Sequence, residues 1–384
     1  MHILFYYPNL NLGGQQTQLV QISEALKEMG HKVSFLYQFE GKLSERASKS
    51  AYLKKIKLPV YNQSRFGIIR ILKRWAYHFL GALQIKYYCN SKKVDVILSS
   101  NTPDTITLNK VSKATEIPHF RMLGGSMKQV EPHWLEKYER LNIDSHVDGY
   151  FGWPAVFDEL KAANISKEKF IEMPFAVNTK DFFPLKEEIR KEKRSNLGIQ
   201  MDTIVIGWIG RVAKNMQIWN TVELVDRLVD QGYTNIVFLC IGGGDEFEYL
   251  KRLINERGLE KYTILTDWIP YNEMNTYINC MDIIPLLEDD PQGGSIIREA
   301  MACGRVALSV DGISGTQSWF MKEECAILVK PENYLQEATD KIIELIEDKE
   351  YLERLGKNAR NYVDQELQFK NQASIIVEST NAFI

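Results

Sequence analysis

The segment 290–304 carries residue types whose spacing suits the binding of a phosphate. The apolar run Ile283–Leu287 leads into a glycine turn and Ser295, and a helical pattern follows. At a helix N-terminus the first backbone N–H groups lack intrahelical partners, and the helix dipole strengthens their attraction for an anion. Glu299 lies one turn later, where a carboxylate is costly beside a phosphate unless neutral hydroxyls donate to it. A ribose supplies such hydroxyls, so the segment is predicted to bind a nucleoside diphosphate.

A second set of candidate ligands follows the buried apolar run Ile204–Ile209. Arg211 and Lys214 are expected at the carboxyl end of this strand. A guanidinium makes forked contacts with a phosphate and an ammonium acts as a point charge, so the two cations suit the phosphates of a departing nucleoside diphosphate. The alternative is a pair of solvated side chains at a strand end.

A pair of glycines follows the first apolar run of the chain. Gly13 and Gly14 come after Ile3–Tyr7 and precede a helical pattern. Glycine lets the backbone approach a ligand closely at the carboxyl end of a strand, where α/β sheets bind their ligands. A turn that merely connects strand and helix explains the pair as well.

The acidic residues and the cysteines bear on metal binding. Glu288, Asp289 and Asp290 form an acidic run, which is typical either of a cation site or of a solvated loop. The five cysteines are scattered without a C-x-x-C pair, which argues against a zinc site and a disulfide framework and favours a reducing compartment. We predict no metal and no cofactor.

Alternating elements position these candidate residues. Short apolar runs alternate with helical patterns in both halves of the chain, which predicts an α/β fold with two doubly wound parallel sheets. A length of 384 residues suits two domains. We place their boundary near Pro184, before a charged run that reads as a solvated lead-in helix. The domains are then 1–184 and 185–365, and the helical tail 366–384 is expected to pack back on the first domain.

Positive charge is concentrated in the N-terminal half. Residues 42–93 contain 13 lysines and arginines and the single acid Glu45, and the segment 65–80 mixes this charge with bulky apolar residues. The pattern indicates a surface for anionic lipid or an anionic acceptor, although a helix with a core face and a solvated basic face has the same periodicity. Without a signal-peptide pattern or an apolar run of membrane-spanning length, we expect a cytoplasmic chain that is soluble or peripheral at the membrane.

Four motifs then carry a family resemblance. They are Gly-Arg-x-x-Lys from Gly210, Ile-Gly-Gly-Gly-Asp from Ile241, Trp-Ile-Pro-x-x-Glu-Met from Trp268 and Glu-Ala-Met-Ala-Cys-Gly from Glu299. In this order they resemble the donor half of glycosyltransferase family 4, which has the GT-B fold. The Gly13-Gly14 loop and the segment 174–184 resemble the same family, so the similarity covers nearly the whole chain.

The resemblance implies retaining transfer of a sugar from a nucleotide-sugar, held between two Rossmann-like domains without an obligatory metal. It assigns the ribose to Glu299, the diphosphate to Arg211 and Lys214, and a backbone cradle to the amides of Gly294, Ser295 and Ile296 together with the Gly13-Gly14 loop. Backbone near Ile269 would meet the base. The acceptor would be a polysaccharide or a lipid-linked glycan precursor, and no nucleic-acid partner is expected.

The chain departs from the family pattern in three places. Pro291 stands where the family has a first Glu, eight positions before Glu299. Met216 stands near the usual lysine, so Lys214 is a shifted substitute, and Arg121 occupies a strand end that often carries His. We expect Asp290, one residue from the family position, to take over part of the sugar contact and to act in catalysis with Arg211 and Lys214.

These departures leave other functions open. The first interpretation is a hexosyltransferase that uses a UDP- or GDP-sugar. The second is a non-catalytic relative that binds a nucleotide-sugar or a glycan as a partner subunit. A nucleotide-sugar epimerase of the same architecture is a third, which the Glu-Ala-Met-Ala-Cys-Gly helix disfavours.

Overall fold

The computed structural model describes residues 1–11, 14–58, 67–100, 102–124, 146–289, 294–312 and 316–384. The chain divides into two compact units: Met1–Pro174 together with Phe369–Ile384, and Phe175–Gln368. The boundary that we expected near Pro184 lies inside the second unit. Each unit is organised around a sheet of its own.

The first unit contains a seven-stranded sheet in the order β3-β2-β1-β4-β5-β6-β7, with parallel pairs throughout. Its strands are β1 (His2–Tyr6), β2 (Lys32–Tyr37), β3 (Tyr52–Lys55), β4 (Val96–Ser99), β5 (His119–Met122), β6 (Gly149–Gly152) and β7 (Phe170–Glu172). The described helices between them are α1 (Gly14–Glu28), α2 (Ser44–Ser50), α3 (Gly67–Lys92), α4 (Thr102–Thr115) and α5 (Pro154–Ala162).

Burial on both faces of this sheet explains the continuous apolar runs of the sequence. In β1, Ile3 and Phe5 join the core on the face of α1, whereas Leu4 and Tyr6 join the core on the face of α3 and α4. The ring of Phe5 stacks on that of Phe35 in β2, with centroids 5.1 Å apart. Within the described part of the chain, no helix combines the length and the apolar character that crossing a membrane requires.

The second unit contains a six-stranded parallel sheet in the order β10-β9-β8-β11-β12-β13. Its strands are β8 (Ile204–Ile209), β9 (Ile236–Ile241), β10 (Thr263–Thr266), β11 (Ile283–Leu286), β12 (Val306–Val310) and β13 (Ile327–Val329). The described helices are α6 (Glu187–Asn196), α7 (Ile218–Asp230), α8 (Phe247–Glu256), α9 (Met274–Cys280), α10 (Ser295–Ala302), α11 (Thr316–Phe320), α12 (Tyr334–Glu347) and α13 (Lys349–Glu366).

The last helix, α14 (Phe369–Asn381), belongs to the first unit. Ala373 and Ile376 of α14 are buried in the same core as the apolar face of α1. The side-chain amide of Gln372 donates a hydrogen bond of 2.7 Å to the carbonyl of Pro174. The chain therefore returns to its first unit after completing the second.

In both sheets the strand order reverses beside the first strand of the unit. β1 lies between β2 and β4, and β8 lies between β9 and β11. At such a switch point the connections leave in opposite directions, so a crevice opens at the carboxyl ends of the two central strands. Each unit therefore has one edge that is suited to a ligand.

A buried ion cluster ties α6 to the second sheet and corrects one expectation. Arg194, in the charged run expected to be solvated, is fully buried. Its Nη2 lies 2.6 Å from Oδ2 of Asp282, and Arg190 binds the other carboxylate oxygen. The same Asp282 accepts a hydrogen bond of 2.8 Å from the backbone N–H of Val205. Helical periodicity cannot reveal this burial, because α6 presents two arginines to a carboxylate far along the chain.

We expect Asp282→Asn to destabilise the protein by about 3–5 kcal/mol, the range for breaking a buried ion pair, since it leaves Arg194 buried without a counter-charge. The measurement is the urea midpoint of the whole chain. Asp230→Asn, which removes an exposed carboxylate at the end of α7, is the control and should change stability by no more than about 0.5 kcal/mol. Equal shifts for the two variants would contradict the structural role of Asp282.

Candidate donor site in the second unit

A cavity of about 350 Å³ lies at the carboxyl ends of β8 and β11. We call it the switch-point cavity. Its lining combines the two strand ends with the start of α10 and consists of Trp208, Ile209, Gly210, Met216, Ile284, Pro285, Leu286, Glu288, Gly294, Ser295 and Ile296. Three of the predicted site residues, Gly294, Ser295 and Ile296, therefore line a mostly apolar pocket with a few polar groups. Ligand sites commonly have this character.

The start of α10 presents backbone donors to this cavity. The helix begins at Ser295, directly after Gly294. A side chain at Gly294 would bring its Cβ within 3.0 Å of the Leu286 side chain, so glycine keeps the helix entrance close to β11. The first N–H groups of a helix lack intrahelical acceptors. These features favour an anion at the mouth of the cavity.

Glu299 lies inside α10, one turn after Ser295, and its charge is disfavoured. Burial raises the pKa of Glu299 to about 7, although the neighbouring Arg298 and a hydrogen bond from the Ser295 side chain oppose the rise. Glu299 is not among the lining residues of the switch-point cavity. A partly neutral carboxyl at this position can both accept and donate hydrogen bonds near neutral pH.

Arg298 precedes Glu299 and packs into the protein. Its guanidinium lies over the rings of Phe175 and Phe320, at 4.7 and 5.7 Å from their centroids. Burial lowers the pKa of Arg298 to about 10. Arg298 therefore packs α10 against Phe175, the first residue of the second unit, and against Phe320, the last residue of α11.

Arg211 and Lys214 follow β8 and are exposed. Neither forms an ion pair with any residue that the structure describes. Lys214 begins a short 3₁₀ turn that ends at Met216, a lining residue of the cavity. The two cations are thus placed beside the switch-point cavity in the chain but do not line it, and their charge is uncompensated among the described residues.

The Gly-Gly-Gly loop after β9 supports the segment that carries Arg211. Gly242 and Gly244 have φ values of +125° and +155°, and a Cβ on either would collide with the carbonyl oxygen of Gly210 or Val212. Backbone hydrogen bonds of 3.0 and 2.9 Å join Gly210 to Ile241 and Val212 to Gly243. This third glycine motif is therefore explained by packing of one loop against another.

The remaining predicted residues are not among the lining residues of the cavity or belong to segments outside the described residues. Ile269 follows β10 between the exposed side chains of Trp268 and Tyr271, and it is not among the lining residues. Gly14 is exposed at the start of α1. Gly13 and Asp290 lie outside the described residues, so their predicted roles stay predictions.

The acidic loop after β11 divides its residues between two environments. Glu288 lines the cavity, and burial with the nearby charge of Asp289 raises its pKa. Asp289 instead accepts hydrogen bonds from the side chains of Gln217 at 3.0 Å and Tyr334 at 3.2 Å. A contact of this kind holds the loop, whereas Glu288 remains available to a ligand.

Sequence reasoning missed one polar group of the cavity. Trp208 is 4% exposed and lines the cavity, and its indole N–H finds no acceptor among the described residues. A buried donor without a partner is costly and is uncommon in native proteins. The sequence does contain a signal for this donor, because Trp208 is the one aromatic residue, with an N–H group, in the otherwise aliphatic strand Ile204–Ile209.

Comparisons with known proteins find similarity to glycosyltransferases. Residues 189–362 match the model of the family described as glycosyl transferases group 1. A 2-deoxystreptamine N-acetyl-D-glucosaminyltransferase of Streptomyces fradiae is 25% identical over 125 residues, which cover 32% of this chain and 30% of that protein. A Bacillus subtilis protein named for teichuronic acid biosynthesis, the glycosyltransferase TuaC, is 24% identical over 229 residues, which cover 58% of this chain and 54% of that protein.

The solved structure of Anabaena HepE in complex with UDP covers 100% of both chains with a TM-score of 0.79 at 16% identity. This similarity confirms the predicted fold class. The chain spans between 29% and 55% of the length of the curated relatives that it matches. Residues 189–362 thus resemble the group 1 glycosyl transferases, and the chain has the GT-B fold of two Rossmann-like domains.

Proposed function

We propose that this chain is a retaining hexosyltransferase of glycosyltransferase family 4, which transfers a sugar from a UDP- or GDP-sugar to a polysaccharide or glycolipid precursor. The observation that carries the proposal is the switch-point cavity, where the start of α10 lies at the carboxyl ends of β8 and β11. Support for a uridine donor comes from HepE, which was solved with UDP. Support for a polysaccharide acceptor comes from the name of TuaC.

The proposed donor contacts follow the order of the site. The amides of Gly294, Ser295 and Ile296 hold the diphosphate at the entrance of α10. Arg211 and Lys214 approach it from the loop after β8. Their uncompensated charge supports this role, because a diphosphate supplies the missing counter-charge. Glu299 binds the ribose hydroxyls, while backbone at Ile269 contacts the base and the Gly13-Gly14 loop completes the cradle.

The reaction requires stabilisation of a departing diphosphate. The bond from the anomeric carbon to the phosphate oxygen breaks, the acceptor oxygen bonds to the same carbon, and the acceptor proton passes to the diphosphate. Negative charge grows on the diphosphate as the bond breaks, so Arg211, Lys214 and the helix amides lower the barrier by electrostatic stabilisation. Asp290 orients the sugar in place of the family's first Glu. We also propose that the chain works at the cytoplasmic face of a membrane.

A ligand screen tests the proposed function first. A ligand that binds only the folded state raises the melting temperature in proportion to the logarithm of its concentration over its Kd. We expect UDP or GDP to stabilise the chain more than CDP or ADP, and the matching nucleotide-sugar to release nucleoside diphosphate slowly without acceptor.

Asp290→Asn should lower kcat/KM about tenfold to a hundredfold. Binding without any turnover would instead support a non-catalytic partner subunit, and sugar interconversion an epimerase.

The raised pKa of Glu299 predicts that ionisation of this carboxyl destabilises the folded chain. Because its folded pKa of about 7 exceeds the ordinary 4.5, the folded chain holds this proton more tightly than the unfolded chain. Ionisation of Glu299 therefore lowers the free energy of unfolding as pH rises from 4.5 to about 7, and the loss is complete above about pH 7. Glu299→Gln should be more stable than wild type above that pH and equal to it below about pH 4.5. Glu256→Gln, at an exposed position of α8, should show no such trend.

The same residue should contribute to ligand affinity. At pH 8, above the pKa of about 7, Glu299→Ala is expected to weaken UDP or GDP binding by roughly 1.5–3 kcal/mol, the range for hydrogen bonds to a charged group. Isothermal calorimetry of the two nucleotides with the variant and the wild type measures the difference. Unchanged affinity would remove Glu299 from the donor site.

Arg211→Gln and Lys214→Gln should weaken the nucleoside diphosphate far more than the bare nucleoside, because only the former carries the phosphates that these cations are proposed to contact. Calorimetric titrations with uridine and UDP, or guanosine and GDP, separate the two effects. Lys191→Gln removes an equal charge from an exposed position of α6 and serves as the control. A loss that is the same for nucleoside and diphosphate would place both cations outside the phosphate site.

A further inference from the structure

A second, larger cavity lies in the first unit, between the edge strand β3 and the C-terminal half of α3. Its volume is about 990 Å³, and we call it the lysine cavity. Lys32, Lys54 and Lys92 are among its lining residues, together with Tyr52 and Tyr87. Nothing in the proposed sugar transfer uses this cavity, which includes the amino-terminal ends of β1 and β2 in its lining.

The lysine cavity has an excess of positive charge among its lining residues. None of its lining residues is acidic. In the described part of the chain, Lys32, Lys54 and Lys92 form no ion pair. Three cations around one concave surface raise the local concentration of anions. The cavity therefore favours an anionic group such as a phosphate.

The floor of the cavity is held in place by hydrogen bonds. The ring of His2 bonds through Nδ1 to the carbonyl of Lys92 at 3.0 Å and through Nε2 to the hydroxyl of Ser34 at 2.7 Å. The hydroxyl of Tyr88 lies 2.9 Å from the same Ser34 oxygen. These contacts join α3 to β1 and β2, so the cavity wall formed by α3 is fixed relative to the sheet.

An exposed apolar stripe runs along α3 into this cavity. Leu72, Trp75, Phe79, Leu83 and Tyr87 are 60%, 61%, 45%, 50% and 77% exposed, and their spacing of three or four residues places them on one helix face. The rings of Trp75 and Phe79 stack at 4.9 Å. Leu83 and Tyr87 also line the lysine cavity, so the stripe and the cavity form one continuous surface.

We infer that this surface docks on a bilayer of anionic phospholipid, with a lipid phosphate in the lysine cavity and the α3 stripe in the headgroup and acyl boundary. A free phosphate accounts for the lysines but not for the stripe, whereas a bilayer matches both the charge and the apolar face. Aromatic residues such as Trp75 and Tyr87 suit this boundary because they combine an apolar ring with a polar atom. The inference is independent of the donor chemistry proposed above.

Flotation of the full chain with vesicles tests the inference. We expect binding to phosphatidylglycerol vesicles, little binding to phosphatidylcholine vesicles, and a loss of binding as salt rises. Each lysine near an anionic surface contributes about 1 kcal/mol, so Lys54→Gln with Lys92→Gln should weaken partitioning about thirtyfold. Trp75→Ser with Phe79→Ser should also release the chain, although these exposed changes leave the lysines intact.

Lys110→Gln with Lys113→Gln is the matched control, since both are exposed on α4 of the same unit and the pair removes the same charge. This control should lose little partitioning. Equal losses for the two lysine pairs would show a diffuse charge effect and overturn the lysine cavity as the docking site. Equal binding to neutral vesicles, or no effect of the Trp75 and Phe79 change, would overturn the bilayer. An unchanged urea midpoint of each variant confirms folding without relying on nucleotide binding, so this test is separate from a failure of the proposed transferase function.

Discussion

The switch-point cavity depends on the way in which Asp282 fastens β8 to β11 at one end only. Asp282 receives a backbone hydrogen bond from Val205 and its own N–H donates to the Val205 carbonyl. Beyond it, the ladder between the two strands has a single residue pair, Ile283 with Ile206. The strands are therefore joined at their amino ends, and the cavity occupies the space between them further along. Arg194 and Arg190 make this join possible by neutralising a carboxylate that would otherwise be buried alone.

The sheets themselves could be predicted because their physical cause is local. A parallel strand that is buried on both faces is apolar along nearly its whole length, and runs such as Ile236–Ile241 fit that pattern. The ion cluster could not be predicted. Arg194 and Asp282 are 88 residues apart, and a charged run on a helix normally faces water. Only the packing of α6 across the amino ends of β8 and β11 reverses that expectation.

The candidate site was predictable to the extent that it follows from a helix N-terminus. Gly294, Ser295 and Ile296 reach the cavity because any strand, turn and helix in this order places the first helical amides at the strand end. Trp208 and Glu288 reach it for a different reason, namely the separation of two neighbouring strands. That separation depends on Asp282 and on its partners Arg190 and Arg194, which are far away in the sequence. No single sequence motif therefore predicts which residues line the cavity.

The two interpretations of the basic segment, a core helix and a docking surface, can be compared with the two faces of α3. One face of α3 is a core face, on which Ile85, Tyr88 and Cys89 are buried. The opposite face retains large apolar side chains in the open, which a helix that needed only solubility would not carry. The two halves of the chain also differ in net charge. Residues 1–184 contain 25 basic and 17 acidic residues, whereas residues 185–384 contain 22 basic and 33 acidic residues. Near an anionic bilayer the first segment is attracted and the second repelled, so the charge distribution itself favours contact through α3.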